Sequence, residues 1–407
     1  MTVNSSETSS IGATADDSGD ATAPVNVGAE ILAIEAAVAA GEAVLAHRFG
    51  SAISLVDPEE LLGSGPATVV RAKIASSPFS LPRTLVIKHY PQSPRPGEAD
   101  PFAQEAVSYQ LFTALSAEER MCPELLAHDG KRRVLVIDDL GRAPTLRDRL
   151  NGSDGRAAER ALLSWARSLG KLHASTASRE ADFNALLRRL GGPAKGDDTT
   201  PVVACAQLPA LLEETLGVQT PGSVRQRAER SAEHARSASY RAFSPVDLSS
   251  DNNLVTGGGV QFLDFERGRV RNAFLDAAQL RVPFASDPDA LALPAGMSEA
   301  MVAAWRSEVA DVWPALTDDT ALAEYLLDSQ LLLVWLATWE ALPGLSKVRA
   351  AAPLSRAAAL VTWWRELAKC AGQAELDDLA GHAATVAAAL DARYGPGLEL
   401  ALYPVFR

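Results

Sequence analysis

The stretch FSPVDLSSDNNLVTGGGVQFLDFERG, residues 243–268, decides how the whole chain is interpreted. An aspartate, Asp247, precedes Asn252 by five residues. An apolar run, a turn of three glycines and a second apolar run follow, and the second run ends at Asp264. This alternation predicts a β-hairpin that carries the first two polar residues on its entering loop and Asp264 at its exit.

Such a hairpin offers the groups that phosphoryl transfer requires. The reaction needs positioning, metal ions that neutralise phosphate charge and a group that takes the proton of the attacking hydroxyl. Asp247 can take that proton, and Asn252 and Asp264 supply hard oxygen ligands that suit Mg²⁺. The alternative is a polar hairpin in which Asp and Asn only stabilise turns. Which interpretation holds depends on the upstream sequence.

Two upstream segments suit a nucleotide. Gly63, Ser64 and Gly65 lie between two strand-like runs, and a glycine turn lets backbone N–H groups approach phosphates closely. An ordinary hairpin turn is the alternative. The segment VLVIDDLG at 134–141 is a predicted strand that ends in a bend between two lobes. Its exposed backbone could hydrogen-bond an adenine edge, which is compatible with an ordinary interdomain linker.

A lysine in a hydrophobic strand, Lys88 within TLVIKHY (84–90), is the third upstream feature. A lysine there is costly to bury without a partner, and Glu105, near the start of the next predicted helix, is a candidate for that partner. A Lys88–Glu105 ion pair would aim the ammonium group at the α- and β-phosphates. An exposed lysine and a solvated glutamate at a helix start are the alternatives.

The distribution of strand-like and helical segments predicts two lobes. Five strands with one inserted helix form a small, mostly antiparallel α+β lobe over residues 28–140. Long helices rich in Ala, Leu and Arg form a larger helical C-terminal lobe over 141–407, which contains the hairpin. Residues 1–27 are small, polar and acidic without Lys or Arg, which predicts a disordered tail.

Composition narrows the class of partner. The 407-residue chain has a net charge of −13, which disfavours nucleic acid and favours a cationic small molecule. Its three cysteines are too sparse for a disulfide framework or a zinc site. The apolar stretch 329–339 is too short to span a bilayer. The N-terminus has no secretory pattern, so we expect a cytoplasmic protein without a membrane partner.

Taken in chain order, these segments resemble the aminoglycoside phosphotransferase and choline kinase superfamily, which shares the two-lobed protein-kinase-like fold. The elements that carry the resemblance are GSG (63–65), VIK (86–88), Glu105, VLVIDDLG (134–141), LGKLHA (169–174), VDLSSDNNLV (246–255), LDFE (263–266) and FLDAAQL (274–280). The resemblance implies transfer of the γ-phosphate of ATP, with Mg²⁺, to a hydroxyl of an aminoglycoside, amino sugar or amino alcohol.

The resemblance also implies a role for each matching residue. The residues expected to bind the nucleotide are Gly63, Ser64 and Gly65, with Lys88 and Glu105 as the phosphate-anchoring pair and the Asp138 carbonyl and Leu140 N–H on adenine. Asp247 would be the catalytic base. Asn252 and Asp264 would bind Mg²⁺. His173 and Asp276 would brace the catalytic loop from below.

One departure from the family pattern supports a second hypothesis. The family usually has His-Gly before the catalytic aspartate, whereas this chain has Pro245 and Val246. Pro245 cannot make the hydrogen bonds by which the family histidine supports the loop, although its fixed φ could stiffen the loop differently. A nucleotide-binding pseudokinase, acting as a regulatory or partner-binding module, is therefore the alternative. The retained set of lysine, acids and amide argues against it.

Overall fold

A computed structural model of the chain describes residues 27–61, 63, 65–77, 79, 81–95, 98–192, 198–285, 287, 289–345 and 351–407. The predicted disordered tail therefore lies outside the described residues except for Val27, which begins a helix. Ser64 of the glycine turn lies outside them as well.

The N-terminal lobe is a five-stranded antiparallel sheet with one helix on each side. Its elements are α1 (Val27–Phe49), β1 (Ser54–Glu60), β2 (Thr68–Ser76), β3 (Thr84–His89), α2 (Pro101–Thr113), β4 (Leu125–Asp129) and β5 (Val134–Asp138). The strand order is β1-β2-β3-β5-β4. Val70, Ile87 and Val136 are fully buried and pack with residues of α1, so one face of the sheet closes this lobe's own core.

The helix α2 begins where the sequence supplies a cap. The Asp100 side chain accepts a hydrogen bond from the Phe102 N–H at 3.1 Å, and Pro101 occupies the first turn. That start places Glu105 on the buried face of the helix, toward β3.

The C-terminal lobe is helical, as predicted. Its helices are α3 (Leu146–Leu150), α4 (Gly155–Thr176), α5 (Glu180–Arg189), α6 (Thr200–Leu216), α7 (Gly222–Arg236), α8 (Phe274–Ala277), α9 (Met297–Val309), α10 (Asp319–Leu345), α11 (Ala351–Gln373) and α12 (Asp377–Tyr394). The predicted α+β architecture, a small antiparallel lobe followed by a large helical one, is confirmed.

Two short strand pairs lie within the helical lobe. The predicted hairpin is present as β7 (Asn253–Thr256) and β8 (Gly259–Phe262). A second pair, β6 (Arg241–Ser244) with β9 (Arg269–Asn272), was not predicted. Its four-residue strands are rich in arginine and lack the apolar alternation that marks a strand. The pair flanks the hairpin and holds the two ends of the 243–268 stretch side by side.

Three aromatic rings join the two lobes beneath the hairpin. The Phe243 ring lies 4.9 Å from that of Phe112 on α2 and 5.1 Å from that of Phe265. All three side chains are fully buried. Since Phe265 follows Asp264 directly, this cluster fixes that aspartate relative to α2 and its glutamate.

The apolar stretch 329–339 lies inside α10, which is longer than the stretch considered in the sequence. With 27 residues, α10 is the one helix of the described chain that is long and apolar enough to cross a membrane. Of its most apolar window, 56% is buried inside the protein. Leu331 and Trp335 are fully buried, as in a core helix packed among neighbours.

Candidate active site

Lys88 is the centre of the candidate site. Its Nζ lies 2.5 Å from Glu105 Oε1 and 2.9 Å from Asp264 Oδ1. The lysine is 7% exposed and Glu105 is fully buried. Burial alone lowers the pKa of Lys88, but the carboxylates of Glu105 and Asp264 outweigh burial and raise that pKa above its ordinary value. The ammonium group therefore stays charged at neutral pH.

A cavity of about 730 Å³ opens between the lobes beside this lysine. Of the residues predicted to contact a nucleotide or a metal, those that line it are Gly63, Lys88, Asp138, Leu140, Asn252 and Asp264. Glu105 lies behind the lysine, out of the cavity, and Asp247 does not line it. The predicted base therefore lies outside the cavity that is lined by the predicted nucleotide-binding and metal-binding residues.

The segment that joins the lobes, 138–141, brings a backbone hydrogen-bond donor to the cavity wall. Leu140, whose N–H makes no hydrogen bond within the described part of the chain, lies on the cavity wall. The Asp138 side chain accepts a hydrogen bond from the Glu124 N–H. The backbone N–H of Asp138 donates to the Glu124 carbonyl at 3.0 Å. These contacts fix the end of β5 two residues before Leu140.

An arginine that sequence reasoning missed pins the same segment. Arg71 on β2 donates to both carboxylate oxygens of Asp139, each at 2.9 Å, and to the Gly141 carbonyl at 3.3 Å. Gly141 has φ +80°, a conformation that glycine adopts without strain. The only sequence signal for this clamp is an arginine inside a strand, which is equally typical of a solvated strand face.

The catalytic loop holds Asp247 through its own side-chain contacts. Asp247 Oδ1 accepts hydrogen bonds from the Ser249 N–H at 3.0 Å and from the Ser249 hydroxyl. Asn252 lies further along the loop, and its carbonyl accepts from the Leu263 N–H at 2.8 Å. Because Leu263 precedes Asp264, this bond places the amide of Asn252 next to the exit of the hairpin.

A buried network anchors the loop that carries Asp247. The Ser244 hydroxyl accepts from the Val246 N–H at 3.0 Å and donates to Asp276 Oδ1 at 2.9 Å. His173 contacts the other oxygen of Asp276 at 3.2 Å. Because the indole of Trp305 donates to His173 Nδ1, the proton of that ring lies on Nε2 and points at Asp276. The loop is therefore anchored through Ser244 rather than through position 245.

Asp276 stays ionised within this network. Burial raises the pKa of Asp276, but the Arg271 guanidinium, His173 and the Ser244 hydroxyl outweigh burial and bring the pKa to about 2. The predicted bracing role of Asp276 and His173 thus has a specific geometry. Arg271, which also donates to Ser244 at 2.9 Å, could not be found from sequence because β9 was not predicted.

We expect the charge of Asp276 to contribute to stability in a defined pH window. Its folded pKa of about 2 lies below the ordinary value of about 3.9. The contribution is therefore present above pH ~4 and is lost as pH falls through ~2. It is on the order of 2 kcal/mol at pH 6 and about half that at pH 3. Urea unfolding measures the difference in free energy of unfolding between the wild type and Asp276→Asn, which should be smaller at pH 3 than at pH 6. A difference that does not change with pH would contradict this prediction.

Val246 holds a strained backbone at the position before the base. Its φ is +68°, a region that a β-branched residue rarely occupies. The left-handed conformation costs an L-residue roughly 1–2 kcal/mol, and a glycine at this position would avoid that cost. The chain therefore keeps a glycine-like conformation at a valine directly before Asp247.

Because of this strain, glycine at position 246 should stabilise the protein more than alanine does, the reverse of the usual order. Val246→Gly should be more stable than Val246→Ala by about 1 kcal/mol, because only glycine adopts this φ freely. At Val255, within β7, the same pair of substitutions should show the ordinary order, with alanine more stable. Urea denaturation of the four variants measures both differences. Alanine more stable than glycine at position 246 would show that the backbone is not strained there.

Glu266 adds a third carboxyl group near Lys88. Burial and the nearby Asp264 raise the pKa of Glu266 to about 7. A Cβ placed on Gly65 would lie 3.0 Å from Glu266 Oε2, so the glycine turn and this carboxylate are in close approach. Glu105 and Asp264 both pair with the single lysine, and Glu266 lies near enough to interact with its charge. This excess of acidic groups over the lysine favours an additional cation.

Comparisons with known proteins give remote structural likeness. No family model matches the chain, and no curated protein is similar to it. A choline kinase from Streptococcus pneumoniae is 15% identical over 77% of this chain and 94% of its own, with a TM-score of 0.43. A putative aminoglycoside phosphotransferase from Ralstonia eutropha is 14% identical over 84% and 94%, with a TM-score of 0.46.

A thermostable mutant of the aminoglycoside phosphotransferase APH(4)-Ia is 15% identical over 86% of this chain and 98% of its own, with a TM-score of 0.41. The names of all three are those of kinases of small molecules. Because every identity is below 20% and every TM-score is below 0.5, function has to be argued from the site itself.

Proposed function

We propose that the protein is an ATP- and Mg²⁺-dependent phosphotransferase that moves the γ-phosphate to a hydroxyl of a small molecule. The observation that carries the proposal is the convergence on Lys88. A strand of one lobe, a helix of the same lobe and the hairpin of the other bring Lys88, Glu105 and Asp264 together at one cavity. Phosphoryl transfer depends on such positioning more than on covalent chemistry.

The cavity suits a nucleotide in size and in polarity. Its volume of about 730 Å³ lies within the ~300–1,000 Å³ range of small-molecule sites. The unpaired Leu140 N–H offers a donor to a purine edge at one end. Lys88 and the turn of Gly63 and Gly65 would receive the phosphates at the other.

Asn252 and Asp264 fit Mg²⁺ bound together with phosphate oxygens. Among the described residues, no three His, Cys, Asp or Glu side chains form a group that could hold a metal ion. Mg²⁺ typically binds through one or two carboxylates, waters and substrate phosphates, and the excess of carboxylates around Lys88 suits that mode. When bound, the ion would neutralise phosphate charge during transfer.

Asp247 would orient the acceptor hydroxyl and take its proton. Its two contacts to Ser249 fix one carboxylate oxygen and leave the other for a substrate. Asp247 lines neither the nucleotide cavity nor the second cavity described next, but its loop adjoins both, through Asn252 and Ser250.

A second cavity, of about 510 Å³, is the place we assign to the acceptor. It adjoins Ser250 of the catalytic loop, and its lining has three acids, Asp287, Asp289 and Glu399, against one cation, Arg147, which lies 3.7 Å from Asp287. Together with the net charge of −13, this acidic lining supports an amino-bearing acceptor of the aminoglycoside, amino sugar or amino alcohol type. Use of ATP fits a cytoplasmic location.

The pseudokinase hypothesis keeps one observation in its favour, the strained Val246 beside the base. It predicts nucleotide binding without transfer. The test is titration calorimetry of ATP with and without Mg²⁺, followed by acceptor-stimulated ADP release across aminoglycosides, amino sugars, amino alcohols and nucleoside antibiotics. Stimulation by one class supports the proposal. Mg²⁺-dependent ATP binding without stimulation by any class supports the pseudokinase, and no ATP binding contradicts both.

A further inference from the structure

Tyr90 contacts the ion pair of the site from the side opposite the cavity. It follows β3, two residues after Lys88, and side chains two apart along an extended chain point to the same face. Its side chain is 2% exposed, and its hydroxyl donates a hydrogen bond to Glu105 Oε2. The lysine and the tyrosine of the sequence KHY therefore both contact the same carboxylate.

This contact completes the hydrogen bonding of Glu105. Oε1 accepts from Lys88 Nζ at 2.5 Å and from the Phe265 N–H at 3.2 Å. Within the described chain, Tyr90 is the one donor to Oε2. A buried carboxylate oxygen without a donor is costly, so without the hydroxyl the carboxylate would turn to find another partner.

The orientation of Glu105 matters because Lys88 has two acidic partners. Lys88 Nζ also lies 2.9 Å from Asp264 Oδ1, and Asp264 is the carboxylate proposed to bind the metal. A fixed Glu105 holds the ammonium group between the two acids. A loosened Glu105 would leave Lys88 paired more closely with Asp264, in competition with the metal.

We infer that Tyr90 is a positioning residue for nucleotide binding, which acts through Glu105 to set how Lys88 is shared between Glu105 and Asp264. The inference rests on the proposed function. It assigns Tyr90 no contact with the nucleotide or with the acceptor.

The test is Tyr90→Phe, which removes the hydroxyl and keeps the ring that packs edge-on against Phe102, with centroids 5.9 Å apart. We expect affinity for ATP with Mg²⁺ to fall about tenfold, equivalent to ~1.4 kcal/mol, because Lys88 would then pair more closely with Asp264 and compete with the metal. We also expect a higher Mg²⁺ concentration for half-maximal binding. Titration calorimetry without an acceptor measures both.

Tyr240→Phe is the matched control. Tyr240 is a half-buried tyrosine of the helical lobe that lines neither cavity, and its ring packs edge-on against Phe274 with centroids 5.2 Å apart. Its loss of a hydroxyl should lower thermal stability without changing ATP affinity. If Tyr90→Phe also changes only stability, or if both variants change ATP affinity equally, Tyr90 is not a positioning residue.

A double-mutant cycle tests whether Tyr90 acts through Glu105. In the background Glu105→Gln, the further change Tyr90→Phe should have little effect on ATP affinity, because the carboxylate that it orients is gone. Additive effects would overturn the inference. The proposed function and the role of Tyr90 can fail separately. No ATP binding by the wild type would contradict the proposed function. Equal ATP affinity of the wild type and Tyr90→Phe would contradict only the role of Tyr90.

Discussion

Replacing Asp247 by asparagine is expected to lower the rate of phosphate transfer by a factor of about 10²–10⁴, the usual contribution of a general base. Asparagine keeps the oxygen that accepts from Ser249 but cannot take the proton of the acceptor hydroxyl. ATP affinity should stay within about twofold of the wild type, because Asp247 does not line the nucleotide cavity. Turnover and ATP titration on one preparation measure both quantities.

A control for this variant is Asp311→Asn, which makes the same chemical change at an exposed aspartate of the helical lobe. It should leave turnover and ATP affinity unchanged. Full turnover by Asp247→Asn would show that another group is the base. Loss of ATP binding together with turnover would show that Asp247 supports the nucleotide site instead.

Replacing Asp264 by asparagine is the second substitution with a large expected effect. The amide is a poor ligand for Mg²⁺ compared with a carboxylate. Mg²⁺-dependent ATP binding should therefore weaken by at least the ~10–100-fold that loss of a supporting group typically costs a metal site. The backbone should be retained, since Asp264 has φ +62° and asparagine tolerates that region.

The measurement is the ratio of ATP affinities with and without Mg²⁺. In the wild type Mg²⁺ should strengthen binding, and in Asp264→Asn that gain should largely disappear while affinity without the metal changes little. An equal Mg²⁺ gain in both proteins would place the metal on other residues. An equal loss of ATP affinity with and without Mg²⁺ would show that Asp264 only pairs with Lys88 and does not bind the metal.

The sequence predicts the parts of the site that are local. The hairpin, its entering loop and its exit can be predicted from a single stretch in which polar residues, two apolar runs and a glycine turn follow one another. The strand that contains Lys88 can be predicted from its apolar neighbours. The pairing of Lys88 with Glu105 could be anticipated because a buried lysine needs an acid. Each of these inferences uses residue types within a short span.

The remaining features depend on contacts between distant segments. Lys88 and Asp264 are separated by 176 positions, and no local pattern indicates that they meet. The β6–β9 pair and the anchoring of Ser244 on Asp276 are likewise products of tertiary packing. The left-handed conformation of Val246 contradicts its residue type, so a rule based on propensity would predict the opposite.

The most direct test of the central claim is transfer of the labelled γ-phosphate of ATP to a small-molecule hydroxyl, followed by ³¹P NMR of the purified product. We predict a phosphate ester on an amino-bearing acceptor that forms with Mg²⁺, is absent with EDTA and is nearly absent with Asp247→Asn. ATP binding by the wild type with no phosphorylated product from any acceptor class would contradict phosphotransfer and would leave a nucleotide-binding protein.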